Sequence, residues 1–112
     1  MDRERIKEVF FKETTDHGVA IFSGDYKKAN KIHKKLEKLY VEAKANNFID
    51  VFCCFLDDPN ENIRLWAATF TLGVFPDLGK QHLEQLSMLD TITGLSAKTT
   101  LHLWNENKLN LI

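Results

Sequence analysis

Histidine, cysteine and carboxylate are the side chains with which this 112-residue chain could do acid–base or metal chemistry. The four histidines, His17, His33, His82 and His102, fall in four separate stretches, and no two stand at the i, i+4 spacing that puts a pair of imidazoles on one metal. Glu13 and His17 stand one helical turn apart. That spacing would let a carboxylate orient an imidazole for proton transfer, and it equally describes a packed histidine with a local partner. His82 reads as a core histidine and His33 as an edge residue with no nameable partner. Cys53 and Cys54 are adjacent inside Phe48-Ile49-Asp50-Val51-Phe52-Cys53-Cys54-Phe55-Leu56. A vicinal disulfide would strain a helix there, so they read as small apolar side chains in a reducing cytoplasm.

Other chemistries lack their parts. No Gly-x-Ser-x-Gly elbow surrounds Ser23, Ser87 or Ser96, and five glycines form no phosphate loop or dinucleotide fingerprint. The acidic stretch from Asp57 to Glu61 has neither the ligand spacing nor the glycine of a calcium loop, and reads as a turn. Trp66 and Trp104 read as packing residues that supply buried area. The expectation is a chain without catalytic residues, metal or cofactor.

The elements that would position any site are helical. Apolar residues recur with a period near 3.6, and no segment alternates for long. A first helix is expected from Asp2 to about Phe22, with Ile6, Val9, Phe10, His17, Ala20 and Ile21 inward and Gly18 as a weak point. Ser23-Gly24 breaks it and Asp25 caps the second, Tyr26 to Ala45, with Ala29, Ile32, Leu36, Leu39, Tyr40 and Ala43 on one face. A short apolar third helix should run from Phe48 to Leu56, and a fourth from about Glu61 to Val74 with two apolar sides. A fifth is expected from Leu78 to Leu89 and a sixth, capped by Ser96, from Ala97 to about Asn107. Asp90 to Gly94 reads as a loop, and the tail Leu109-Asn110-Leu111-Ile112 as docked. Six helices on short connectors should pair as three antiparallel hairpins within a single domain, residues 1–112.

Apolar residues make up 44% of the chain and charged ones 28%, which suits a globular protein. The net charge of −1 hides an uneven distribution. Residues 1–50 carry 11 basic and 9 acidic groups, against 4 and 7 in residues 51–112. Six of the basic groups, Lys27, Lys28, Lys31, Lys34, Lys35 and Lys38, fall within about 120° of arc opposite the apolar face of the second helix. The charged start, Met1-Asp2-Arg3-Glu4-Arg5, is unlike a secretory signal, and no apolar run is long enough to suggest a membrane span. A cytoplasmic location is expected.

The stretch Leu56-Asp57-Asp58-Pro59 followed by Ile63-Arg64-Leu65-Trp66-Ala67-Ala68 resembles the HEAT-type helical repeat, in which an Asp-Pro turn joins two closely packed helices. In that setting Arg64 should pair with Asp58 or with carbonyls of the turn. Gly94-Leu95-Ser96-Ala97-Lys98-Thr99-Thr100-Leu101 is a weaker echo, without Arg or Pro, so an irregular solenoid is expected rather than a regular array. Together with Gly24-Asp25-Tyr26, Ala29-Asn30 and Trp104, these segments look like a small bacterial HEAT-like family of unknown function over about residues 20–109. The resemblance implies an armadillo-like fold and supplies no catalytic residues. If the hairpins stack in that manner, the second, fourth and sixth helices share a concave side. Lys27, Lys31, Lys34 and Lys38 would then join Arg64, Lys98 and His102 in a basic strip.

The function expected from this is a non-enzymatic module that binds a protein partner, toxin neutralisation being one case of it. Nucleic-acid binding through the lysine stripe is the alternative. The same stripe is equally the soluble face that any amphipathic helix needs. No aromatic residue interleaves with it as single-strand binding would want.

Overall fold

A computed structural model describes residues 1–109. Among these there is no strand: the elements are α1 (Arg3–Ser23), α2 (Tyr26–Ala45), a 3-10 helix (Ile49–Phe55), α3 (Glu61–Thr71), α4 (Pro76–Leu86) and α5 (Ile92–Asn105). None of these helices is long and apolar enough to cross a membrane.

Local chemistry explains the boundaries. The Asp2 carboxylate accepts from the Arg5 amide at 2.8 Å to open α1, and Gly24, at φ 78°, closes it in the left-handed region. Asp25 caps α2 as the sequence suggests, and all six residues expected on its inner face are buried. The Asn60 side chain accepts from the amides of Asn62 and Ile63 to start α3. Pro76 occupies the first turn of α4, where its missing N–H costs nothing, so this helix begins two residues before the expected Leu78.

Two elements depart further from expectation. The third is a 3-10 helix, not an α-helix. It begins after Asn47 at φ 60° and has no side-chain cap. Its three-residue period sets Phe52 and Phe55 side by side against the Phe10 ring, with centroids 4.9 Å and 5.0 Å away. The last helix begins at Ile92, inside the expected loop. Thr91, not Ser96, caps it by accepting from the Gly94 amide at 3.1 Å. Gly94, inside the expected loop, is a site of close packing, where a Cβ would collide with the Leu89 carbonyl. The fourth helix, expected to reach about Val74, ends at Thr71, and Val74 and Phe75 are exposed beyond it.

One apolar cluster runs through all six elements, from Ile6 and Phe10 through Leu36, Phe52, Ile63 and Leu83 to Ala97. Burying a side chain the size of Phe10, which is 0% exposed, contributes on the order of 2 kcal/mol. Helix α3 lies at the centre and packs against α1, the 3-10 helix, α4 and α5. Its two apolar sides, read from the sequence, follow from that position. The approach to α4 is close enough to exclude a methyl group: a Cβ on Gly79 would meet the Ala68 carbonyl and the Leu72 amide at 2.8 Å. Helix α2 packs against α1 and the 3-10 helix. The extents of 36 × 31 × 26 Å show little elongation. Leu109 is half-buried and its amide donates to the Leu103 carbonyl; the remainder of the tail expected to dock lies outside the described residues.

Candidate binding surface

Burial of Ala29, Ile32, Leu36, Leu39, Tyr40 and Ala43 fixes the rotation of α2, and the lysine face follows from it. Lys27, Lys28, Lys31, Lys34, Lys35 and Lys38 are all exposed, and none is ion-paired among the described residues. The six do not act alike. Lys28 and Lys35 lie toward α1. There they help the Lys12 hydrogen bond, which dominates, to hold the Asp16 carboxyl below its usual range. Lys27, Lys31, Lys34 and Lys38 form a row about 16 Å long at the helical rise. The two glutamates of α2 are engaged elsewhere: Glu37 lies 3.0 Å from His33 Nε2, and Glu42 lies 3.3 Å from the amino terminus.

The other members of the expected strip stand apart from this row. Lys98 and His102 are exposed on α5, which packs on α3 and α4, and α2 and α5 are not a packed pair. Arg64 lies on the side of α3 that meets α4, while the lysine row belongs to α2. Arg64 is half-buried beside a cavity of about 80 Å³, walled by Leu56, Asp57, His82, Gln85, Leu86 and Leu89. The pairing of Arg64 with Asp58 is not formed. Asp58 instead accepts from the Asn60 backbone amide at 2.9 Å, and the Arg64 Nε is buried with no hydrogen-bond partner among the described residues.

The histidines sort themselves by partner. His17 faces α3, where its Nδ1 accepts from the Trp66 indole N–H at 3.3 Å and from the Asn62 amide at 3.1 Å. The same Asn62 nitrogen donates to the Thr14 carbonyl at 2.8 Å, which fixes the orientation of the carboxamide. Two donor-only groups converging on Nδ1 demand a neutral ring with its proton on Nε2. Burial first, and the nearby His33 second, push the His17 pKa below its ordinary value. Asn62 turned to present its oxygen would favour the charged ring, but that turn gives up the Thr14 bond. Glu13, one helical turn before His17, sits instead 3.9 Å from Lys12 Nζ. Gly18 is no break in α1; a Cβ there would come within 3.2 Å of Asn62, so its bareness admits α3. Trp66 stands with its ring between His17 and His33, each edge-on at about 5 Å. The signal for this network was the lone glycine inside a helix; its partner lies 44 positions away and could not be named from spacing.

Cys53 and Cys54 are free thiols. Cys53 lies 3.7 Å from Thr71 Oγ1, while Cys54 is exposed, so only the first fits the expected small buried hydrophobe. Among the described residues no group of three His, Cys, Asp or Glu side chains could hold a metal ion. Trp66 is buried in the core and Trp104 is partly buried at its edge.

No protein-family model and no curated protein matches the chain. Among solved structures it is similar to the crystal structure of the protein RPA1889 from Rhodopseudomonas palustris CGA009. The TM-score is 0.89 at 21% identity, over 98% of this chain and 93% of that one. A likeness at that identity concerns the fold.

Proposed function

We propose that this chain is a non-enzymatic protein-binding module, a short irregular HEAT-like solenoid whose α2 lysine row takes the acidic surface of a partner. The hairpins of the reading are α1 with α2, the 3-10 helix with α3, and α4 with α5, each a pair that packs together. The observation that carries the function is the row itself. Helix α2 holds seven lysines and two glutamates within a protein of net charge −1. Lys27 and Lys31, Lys31 and Lys35, and Lys34 and Lys38 stand at i, i+4 with no carboxylate between them on that face. Each like-charged pair costs the helix a few tenths of a kcal/mol, about 0.2–0.5. Interleaved glutamates would make an equally soluble face without that cost. An acidic partner relieves the repulsion and is steered toward it.

The test is affinity capture from the native host with the wild type and with Lys27, Lys31, Lys34 and Lys38 replaced by Ala, followed by binding of the purified pair. The reading requires a partner bound at micromolar levels by the wild type and lost by the variant. No such partner, or equal capture by both proteins, overturns it. Binding to duplex or single-stranded nucleic acid that falls steeply with salt and vanishes in the variant would transfer the row to phosphates instead. Toxin neutralisation is the narrower case, in which the captured partner is an enzyme that the chain inhibits. A cytoplasmic setting belongs to the same reading and is supported by the two free thiols.

A further inference from the structure

The geometry points to a second, separate site: the cavity between α3 and α4 is a socket for a small aliphatic carboxylate, with Arg64 as its anchor. Three observations converge on it. First, Arg64 is permanently charged and half-buried, yet its guanidinium donates no hydrogen bond to any described residue, and its Nε is sealed from solvent. An atom so sealed is beyond the reach of any guest, so the donors that Arg64 offers the cavity are its two Nη groups, which find no acceptor among the described residues. Secondly, the space beside it is about 80 Å³, room for a few waters or one carboxylate head group. That is well below the roughly 300–1,000 Å³ of pockets that hold nucleotides, sugars or drug-sized ligands. Thirdly, the walls divide by chemistry. Gln85 and His82, three residues apart on α4, add hydrogen-bonding groups beside the guanidinium, while Leu56, Leu86 and Leu89 supply an apolar side for a short alkyl stem.

The charge at the rim selects among anions. Asp57 lines the same cavity and is exposed, and it makes no ion pair among the described residues. A dianionic phosphate would meet its carboxylate with twice the repulsion felt by a monoanion. The planar fork of Arg64 also matches the two oxygens of a carboxylate, a fit that a lysine would lack. The carboxylate comes either free, as a small acid of the size of acetate or propionate, or at the end of a glutamate side chain. The site does not depend on the α2 row, which lies elsewhere on the molecule.

The experiment follows the Nε–Hε resonance of Arg64 and the side-chain amide of Gln85 by NMR in the whole protein. Sodium acetate and sodium propionate are titrated against sodium chloride and sodium phosphate at matched ionic strength. The expected result is a saturable shift of both resonances by the carboxylates, with a dissociation constant on the order of 1–10 mM. Arg64→Met should abolish that response in the remaining reporter, and Arg64→Lys should weaken it about tenfold through loss of the fork. Lys34→Ala should leave it unchanged. A capped glutamyl tripeptide, compared with its glutaminyl twin, separates the two sources: a response to the glutamyl form assigns the socket to a protein side chain, and a response to the free acids alone assigns it to a small molecule. No saturable shift by any carboxylate overturns the proposal, as does an equal shift with chloride or phosphate. So does an Asp57→Asn variant in which the Arg64 resonance moves before any acid is added and then ignores it, since Asp57 would then be the partner.

Discussion

Helix α3 buries polar groups on two faces, and the two faces treat them oppositely. Toward α1, Asn62, Trp66 and His17 form a closed set: the indole N–H and the carboxamide both find acceptors, and the ring nitrogen that receives them has no other task. Toward α4, two residues along the same helix, Arg64 reaches a cavity and donates to nothing among the described residues. A buried polar group with all its partners is a fastener, because each donor removed strands its acceptor. One without partners contributes no such closure to folding and is free to contribute to binding.

The sharpest way to break the contrast is Trp66→Ala, which empties a core position that is 8% exposed and removes one of the donors to His17. A loss of about 3–5 kcal/mol in denaturant unfolding is expected. Trp104→Ala, at a partly buried position, should cost clearly less. Next comes Asn62→Ala, which deletes the bonds to Thr14 and His17 and should cost about 1–3 kcal/mol by the same measurement. A third effect is read in pH. Because the folded His17 has a lowered pKa, the unfolded chain takes up a proton first as the solution is acidified. The His17 contribution is therefore intact above the ordinary histidine value, about 6.5, and is lost as pH falls from there toward the lowered folded value. Unfolding between pH 8 and pH 5 should show that decline in the wild type and a flatter course in His17→Gln, which keeps an acceptor but cannot titrate. The smallest effect is expected on the other face. Arg64→Met should change stability by less than about 0.5 kcal/mol or raise it, since it removes a half-buried charge without stranding a partner. A loss as large as that of Asn62→Ala would erase the distinction between the faces.

How far these features were legible in the sequence follows the range of the forces involved. The inner face of α2 could be read residue by residue, because a single amphipathic period decides it. The central position of α3 was visible in its two apolar sides. The start of α5 was not. Thr91 and Gly94 satisfy the rules for loops as well as those for a cap and a tight crossing, and only α4 behind them decides between these. The 3-10 geometry of residues 49–55 was equally hidden, since it depends on where Phe10 stands. Of the candidate surface, the lysine row was legible from spacing alone, whereas its extension to Arg64, Lys98 and His102 assumed a particular stacking of helices. Arg64 lies on the α4 side of α3 instead.

The 3-10 helix carries a consequence for how the molecule breathes. Hydrogen bonds from i to i+3 are bent and weaker than those of an α-helix, and seven residues is long for such a run. Its persistence is borrowed from the rings of Phe10 and Phe70, against which Phe52 lies, and not from its own backbone. Amides of this stretch should therefore take up deuterium well before those in the middle of α1 or α3. When it loosens, the bidentate clasp between Arg3 and Asp50 opens too, and the start of α1 is left to its Asp2 cap and to the amino terminus on Glu42.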